Sequence, residues 1–157
     1  MKELILIGAG GHAKSCIDVI ESIGFFKICG FVDKNIKNNN IIENGYPFLG
    51  RDEDLLSLRE NYQNAFITLG QIKSPLVRIK LYNQLKNLNY NLPTILSSLS
   101  YVSKKSKVLE GSIVMHFSIV NAGAAVGKNC IIHNKALVEH DAIISDNCHV
   151  STGAIIN

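Results

Sequence analysis

The last third of the chain carries an aliphatic residue at every sixth position, and this period restricts the possible folds more than any other feature of the sequence. Ten consecutive positions of the series are Val or Ile, and seven of the chain's ten valines belong to it. The residue two positions before each member is always Ser, Ala or Cys. The members are Val102, Val108, Val114, Val120, Val126, Ile132, Val138, Ile144, Val150 and Ile156.

Neither an α-helix nor an ordinary strand produces a six-residue period, because their side chains repeat every 3.6 and 2 residues. The period is typical of a three-sided parallel β-helix, in which the aliphatic residue of each hexad points inward and the small residue lets the chain turn a corner. Three hexads form one coil, so positions 18 apart stack at about 4.8 Å. We therefore expect Cys130 and Cys148 to stack as buried small hydrophobic residues, not as a disulfide or a metal pair.

The residues before this series alternate between strand-like and helix-like segments. Strands are predicted at 2–8, 28–33, 65–70 and 90–96. Helices are predicted after the glycine turn at 8–13, after Asp52 as a cap, and after Ser74 with Pro75 in its first turn. The Asn-rich segment 35–44 is predicted to be a surface loop. This order favours a small parallel α/β sheet, so the predicted domains are residues 1–96 and 97–157.

The glycine turn has the spacing of a nucleotide-binding motif. Gly8, Gly10 and Ala13 satisfy G-x-G-x-x-G/A directly after a strand, and Asp33 ends the next strand. Glycines let the backbone approach a phosphate, the helix N-terminus offers amide groups, and Asp33 can accept a hydrogen bond from a ribose or base. A sheet of three or four strands suits a mononucleotide better than a dinucleotide. A purely structural tight turn and, more distantly, an NAD oxidoreductase remain alternatives.

Composition excludes several classes of protein. With 46% hydrophobic and 18% charged residues, the chain can bury a core and is not disordered. Its net charge of +3 comes with scattered lysines, which argues against nucleic-acid or membrane-surface binding. No apolar run approaches the roughly 18 to 20 residues of a membrane span, and no signal peptide is recognisable. Four cysteines without a CxxC pair indicate reduced thiols in a cytoplasmic protein without a metal site.

Three motifs resemble those of a known family. The GAGGHA turn (Gly8–Ala13), the FVD strand end (Phe31–Asp33) and the hexads of ALVEHDAIISDNCHVSTGA (Ala136–Ala154) are similar to bacterial sugar acetyltransferases of the NeuD/PglD type. The resemblance implies a Rossmann-like sheet domain followed by a left-handed β-helix of about three coils; parallel crossovers are otherwise right-handed. It also implies a cytoplasmic homotrimer in surface polysaccharide biosynthesis, using acetyl-CoA as co-substrate and no metal.

The resemblance also assigns roles to residues of the β-helix. His140 matches the catalytic histidine, and an unperturbed pKa of about 6.5 suits a general base that takes the acceptor's proton. Asp141 matches an acid that raises the basicity of this histidine, and Glu139 is the other possible orienting acid. His149 matches a position that contacts acetyl-CoA. His116 and His133 have no such match and are predicted to be surface or interface residues.

In the N-terminal domain the resemblance implies a site for the UDP portion of a nucleotide-linked sugar. Lys34 departs from the second acid that some relatives carry after the aspartate. The predicted substrate-binding residues are Gly8, Gly10, Gly11, His12, Asp33, Lys34 and Gly70.

The hexad series is still in register at Asn157. We expect either that the chain is a fragment or that a partner covers its last coil. In relatives, the oxyanion-stabilising amide and most acetyl-CoA contacts lie in later coils. Three functions stay open: N-acetylation of a UDP-linked amino sugar, O-acetylation of a sialic-acid-type sugar, and a truncated, inactive trimeric assembly protein.

Overall fold

A computed structural model describes residues 1–35, 42–43 and 45–157, with the side chains at 42–43 left out. The chain forms two compact units, which we call the sheet unit (residues 1–70 and 80–93) and the β-helix unit (residues 71–79 and 94–157). The domain bounds 1–96 and 97–157 stay a prediction. Within the described residues, no helix is long and apolar enough to cross a membrane.

In the described part of the sheet unit, five strands lie in the order β3-β4-β2-β1-β5, parallel except for the β3–β4 pair. The predicted parallel α/β arrangement is confirmed. The elements are β1 (Lys2–Ile7), α1 (Gly11–Ile23), β2 (Phe26–Val32), β3 (Ile42–Glu43), β4 (Tyr46–Gly50), a 3-10 turn (Asp52–Asp54), α2 (Leu55–Leu58), β5 (Ala65–Ile67) and α3 (Leu76–Asn87).

The central strand β1 explains why this unit folds. Its last four residues, 4–7, are apolar and at most 1% exposed, as expected for a strand covered on both faces of a parallel sheet. Helix α1 buries its apolar stripe and ends at Gly24, whose left-handed φ of 67° is favourable for glycine. Ser74 Oγ accepts the Leu76 amide at 3.2 Å, in agreement with its predicted position as a helix cap.

Three predictions for this unit need correction. Strand β4 was not predicted; it pairs with β2. The two-residue strand β3, which pairs with β4, lies inside the segment 35–44 that was predicted as a loop. Most of that segment lies outside the described residues. The strand predicted at 90–96 is reduced to a single parallel bridge between Asn64 and Asn91, and Ile95–Leu96 belongs to the β-helix unit. Asp52 is not the N-cap, because it is the first residue of the 3-10 turn and Arg51 is its cap, and the Arg51 amide donates to Asp54 Oδ2 at 2.8 Å.

The β-helix unit winds through two-residue strands in three parallel sheets, ordered β16-β13-β10-β7, β14-β11-β8 and β15-β12-β9-β6. Paired residues are 18 apart, as in Ile119↔Leu137, so the predicted three-sided coil is confirmed. The strands are β6 (Ile95–Leu96), β7 (Tyr101–Val102), β8 (Lys107–Val108), β9 (Ile113–Val114), β10 (Ile119–Val120), β11 (Ala125–Val126), β12 (Ile131–Ile132), β13 (Leu137–Val138), β14 (Ile143–Ile144), β15 (His149–Val150) and β16 (Ile155–Ile156).

The second residue of each strand from β7 onward is the predicted aliphatic one, and most of these form one hydrophobic core. Cys130 is buried as predicted, whereas Cys148, also predicted to be buried, is only partly buried against the same core. The Ile131 amide donates to the Cys148 carbonyl at 2.9 Å. The structure holds all four cysteines as thiols. Burial raises the pKa of the Cys130 thiol, which favours its neutral form.

The chain turns its corners with residues in the left-handed region. Every sixth residue from position 111 to 153 has a φ between 56° and 77°. Three of these corner residues are glycine and five are not, so the fold holds even large side chains in this conformation. The corner residues are Gly111, Phe117, Gly123, Asn129, Lys135, Asp141, Asn147 and Gly153.

Candidate functional site

His140 lies between β13 and β14, directly before a corner of the β-helix. Its side chain is 73% exposed, and its Nδ1 atom lies 3.0 Å from Asp141 Oδ2. A carboxylate can only accept, so Nδ1 carries the ring proton and Nε2 of the neutral ring holds the lone pair. His140 is therefore an exposed base with one ring nitrogen already oriented by an acid.

The charge around His140 is negative. The hydrogen bond and the charge of Asp141, followed by the charge of Glu139, raise the pKa of His140 above its ordinary value. A raised pKa makes the neutral ring a stronger base, at the cost of a smaller neutral fraction at low pH.

Glu139 contacts the backbone of His140 and not its ring. Glu139 Oε2 accepts the His140 amide at 3.0 Å and the Asn121 side-chain amide at 2.9 Å. These two hydrogen bonds lower the pKa of Glu139. Of the two acids predicted as partners of His140, the structure therefore places Asp141 on the imidazole and Glu139 on the main chain.

His149 lies in β15, and its ring packs near the ring of His133 and not near His140. The two rings are 5.8 Å apart between centroids. Burial, and secondarily the charge of His133, lowers the pKa of His149, while a backbone hydrogen bond with Gln71 acts in the opposite direction. His149 Nε2 is buried without a hydrogen-bond partner in the described part of the chain. The lowered pKa favours the neutral form of this half-buried ring.

His133, predicted as a surface or interface residue, is also half-buried. Its Nδ1 accepts the Asn134 amide at 2.9 Å and lies 2.8 Å from Thr152 Oγ1. Burial lowers the pKa of His133. His116, given the same prediction, is half-buried with Nδ1 2.6 Å from Ser97 Oγ. The sequence offered no signal for the pairing of His133 with His149 except their positions in successive coils.

The segment 71–79 adds polar contacts that sequence reasoning missed. Arg78 is 1% exposed and donates from Nε to the Asn129 carbonyl at 3.4 Å and from Nη2 to the Gly111 carbonyl at 3.3 Å. Gln71 Nε2 donates to the Asn147 carbonyl at 2.8 Å. These acceptors are three stacked corner residues, so the segment ties three successive coils together along one edge.

In the sheet unit, the glycines of the turn predicted to bind phosphate differ in their surroundings. Gly8 has a φ of +105°, and a side chain there would overlap Leu69. Gly10 has an ordinary φ of −74°, and among the described residues no atom lies within 4 Å of a Cβ built at Gly10 or Gly11. Neither backbone strain nor packing therefore requires glycine at 10, whereas a ligand approaching the start of α1 would.

The remaining predicted residues of the sheet unit surround this turn. Asp33 accepts the Ala9 amide at 2.9 Å and the Asn35 amide at 2.8 Å, so its carboxylate also shapes the loop. A Cβ at Gly70 would lie 3.5 Å from His12 Cβ, and Lys34 is exposed. Buried Thr68, which sequence reasoning missed, donates to the carbonyl of Gly8.

The structure therefore assembles two groups of predicted residues. One consists of the glycine turn with His12, Asp33 and Gly70; the other consists of His140 with Asp141 and Glu139. Among the described residues, no group of three or more His, Cys, Asp or Glu is arranged to hold a metal ion.

Comparisons with known proteins connect these groups to a family. The family model described as "PglD N-terminal domain" matches residues 3–85, just over half of the chain.

Solved structures match along nearly the whole chain. The acetyltransferase domain of PglB from Neisseria gonorrhoeae FA1090, solved in complex with acetyl coenzyme A, is 27% identical with a TM-score of 0.89, covering 99% of this chain and 73% of that one. PerB from Caulobacter crescentus, in complex with CoA and GDP-perosamine, is 28% identical with a TM-score of 0.85, covering 95% and 68%.

A third structure, WeeI from Acinetobacter baumannii AYE, is 21% identical with a TM-score of 0.85, covering 100% of this chain and 73% of that one, and supports the fold alone. Together these likenesses confirm the predicted fold class, a Rossmann-like sheet followed by a left-handed parallel β-helix.

Proposed function

The chain belongs to the PglD N-terminal domain family, and we propose that it transfers an acetyl group from acetyl-CoA to the amine of a nucleotide-linked amino sugar. Two structural relatives support this proposal, because one was solved with acetyl coenzyme A and another with CoA and GDP-perosamine. For the nucleotide we propose UDP, which the sequence resemblance implies, with GDP as the alternative that the Caulobacter relative suggests.

The observation that carries the proposal is the 3.0 Å contact between His140 Nδ1 and Asp141 Oδ2 on an exposed side chain. An amine that attacks a thioester must lose a proton. A histidine is suited to accept it because the pKa of its imidazole lies near the pH at which the enzyme works. The Asp141 carboxylate orients the ring and stabilises the imidazolium that forms.

The proposed transfer takes place in two steps. The sugar nitrogen forms a bond to the thioester carbonyl carbon while His140 Nε2 accepts a proton from that nitrogen. The C–S bond then breaks, and the CoA thiolate leaves and takes up the proton from His140. The chain forms no covalent intermediate in this direct attack.

For the two ligands we propose separate positions. The glycine turn at Gly8–Gly11, with His12, Asp33, Lys34 and Gly70, binds the nucleotide; the open space beside Gly10 and Gly11 supports this assignment. We propose that His149, whose ring is half-buried, contacts acetyl-CoA, as the sequence resemblance implies.

We further propose that the chain acts as a cytoplasmic homotrimer, as the resemblance implies. The outward residues of one prism face support an association through that face, since all four are apolar and none is fully buried. They are Tyr101, Ile119, Leu137 and Ile155.

The proposed function is tested by thiol release from acetyl-CoA with a panel of acceptors. The panel contains a UDP-linked 4-amino sugar, its GDP-linked counterpart, and the same nucleotide sugars with a hydroxyl in place of the amine. We expect thiol release at about 1 s⁻¹ or faster with an amine acceptor, in the usual range for enzymes. Release only with hydroxyl acceptors, or with none of the panel, would contradict N-acetylation.

A further inference from the structure

The carboxylate of Asp141 lies over Gly123, the residue 18 positions earlier in the same corner of the preceding coil. A Cβ built at Gly123 would overlap Asp141 Oδ1 and lie 3.1 Å from Asp141 Cγ. Asp141 Oδ2, the other oxygen of the same group, is the one that contacts His140 Nδ1. The carboxylate therefore occupies space that any side chain at 123 would need.

Backbone conformation alone does not explain glycine at this position. Gly123 has a φ of 77°, but five other corners of the β-helix hold non-glycine residues at φ between 56° and 61°. Gly153 is a corner glycine of similar φ, 70°, and among the described residues nothing lies within 4 Å of a Cβ built there. Asp141, 18 residues later, stacks over Gly123, whereas Gly153 lies in the last coil of the sequence, which has no residue 18 positions after it.

We propose that Gly123 is a positioning residue for the general base: the space left by its missing side chain holds Asp141 where Oδ2 reaches His140 Nδ1. This inference rests on the proposed function and adds a residue to it. A methyl group at 123 displaces the carboxylate, and Nδ1 then loses its partner.

The consequences for His140 follow from its surroundings. Two acids face the ring: Asp141, through the hydrogen bond, and Glu139, through charge alone. Glu139 stays in place when Asp141 moves, because its own hydrogen bonds run to Asn121 and to the His140 amide. Displacing Asp141 therefore removes the orienting contact and the larger part of the effect that raises the pKa of His140.

The test compares Gly123→Ala with Gly153→Ala, which places the same methyl group on a corner of similar φ without a carboxylate above it. The pKa of His140 is measured in each by NMR titration of the imidazole ring. We expect the pKa of His140 to fall toward its ordinary value in Gly123→Ala and to be unchanged in Gly153→Ala. An unchanged pKa in Gly123→Ala, or an equal fall in both variants, would overturn the proposal.

Activity provides a second readout. We expect kcat of Gly123→Ala to fall roughly 10- to 100-fold with little change in KM, the size of effect that misplacing a catalytic group produces. In an Asp141→Ala background, adding Gly123→Ala should lower kcat no further, and a further fall of similar size would show that Gly123 does not act through Asp141. The titration needs no turnover, so a pKa change in a protein without acetyl transfer would support the positioning and refute the proposed function.

If Gly123→Ala does not fold, the stability of the Gly123→Ala, Asp141→Ala double variant shows whether the clash is with Asp141. Asp141→Ala vacates the space above position 123, so the double variant should melt close to the single Asp141→Ala variant. A double variant as unfolded as Gly123→Ala would overturn the proposal, because the clash would then lie elsewhere.

Discussion

His140 and Asp141 are neighbours in the chain, and consecutive residues of an extended strand point to opposite faces. Their side chains meet because Asp141 occupies a corner with a left-handed φ of 60°, which breaks that alternation. Asp and Asn adopt this conformation more readily than most residues because a short polar side chain can form local hydrogen bonds. The conformation of Asp141 and its contact with His140 thus have one local origin.

Asp141→Asn keeps the shape of the side chain and removes its charge, so it should lower the pKa of His140. Only neutral His140 accepts a proton, so activity rises with pH through that pKa. In a profile of kcat/KM against pH, the acidic limb should therefore move to lower pH in the variant. A limb that does not move, or moves to higher pH, would mean that Asp141 does not act on His140.

The sequence placed two acids beside His140 without deciding between them. Glu139 and Asp141 are both one residue away, and spacing alone does not give side-chain direction. Which of the two acids contacts the imidazole depends on the φ of Asp141, on the hydrogen bond between Asn121 and Glu139, and on the space left by the missing side chain of Gly123. Those contacts join residues 18 apart, and the repeat predicts which positions stack but not which atoms meet.

At the scale of elements, the hexad repeat could be predicted because a single inward position recurs. It was missed where the pattern weakens: Leu96 extends the series by one hexad, but Thr94 replaces the usual Ser, Ala or Cys two residues before it. Leu96 is also 38% exposed. Strand β4 was missed because it is short, only partly buried and contains Pro47.

Gly8 and Gly10 in the glycine turn differ in what surrounds them, and this difference tests the proposed nucleotide site. Gly10→Ala should leave the free energy of unfolding within about 0.5 kcal/mol of wild type, because nothing packs at that position. It should nevertheless weaken binding of the nucleotide sugar about tenfold or more, equivalent to about 1.4 kcal/mol. Isothermal titration calorimetry and urea unfolding measure the two effects.

Gly8→Ala is the matched comparison for Gly10→Ala. It forces a side chain against Leu69 at a φ of +105° and should lower stability directly. Unaltered nucleotide-sugar affinity in Gly10→Ala would refute the phosphate-binding assignment and leave the turn as purely structural.

The β-helix core is tested by a pair of charge substitutions on adjacent strands. Val126 is 1% exposed and points inward, whereas Ile143 is 78% exposed on the neighbouring strand. Val126→Asp buries an unpaired charge and should prevent folding, whereas Ile143→Asp should fold. Circular dichroism distinguishes them, and equal tolerance of both substitutions would contradict the inward orientation of the aliphatic series.

At the scale of the whole molecule, a feature that composition could not predict is the buried Arg78 of segment 71–79. Arginine is almost never fully buried unless its donors are satisfied, and a sequence does not reveal which carbonyls will satisfy them. Here the partners are the carbonyls of Gly111 and Asn129, two corner residues with a left-handed φ. The six-residue repeat thus predicts the coil, whereas the packing of segment 71–79 against it depends on long-range contacts that the repeat does not reveal.

The two half-buried histidines make stability depend on pH. Burial lowers the folded-state pKa of both His133 and His149 below the ordinary 6.5. The unfolded chain therefore binds more protons, so this contribution to stability is present above about pH 6.5 and is lost as pH falls through the folded values.

Urea unfolding at pH 7.5 and 5 should show a smaller acid-dependent loss for a His133→Asn, His149→Gln double variant than for wild type. Taking the difference between the two proteins cancels the opposite contribution of His140, whose pKa is raised. An equal loss in both would mean that these histidines are not the groups that take up protons on unfolding.

Acetyl transfer through His140 is tested most directly by the turnover of a His140→Ala variant at saturating acetyl-CoA and amino sugar. His140 is largely exposed, so the melting temperature should not change. We expect turnover to fall about 100-fold or more, the usual contribution of a general base. Turnover within about threefold of wild type, well below that contribution, would mean that His140 is not the base.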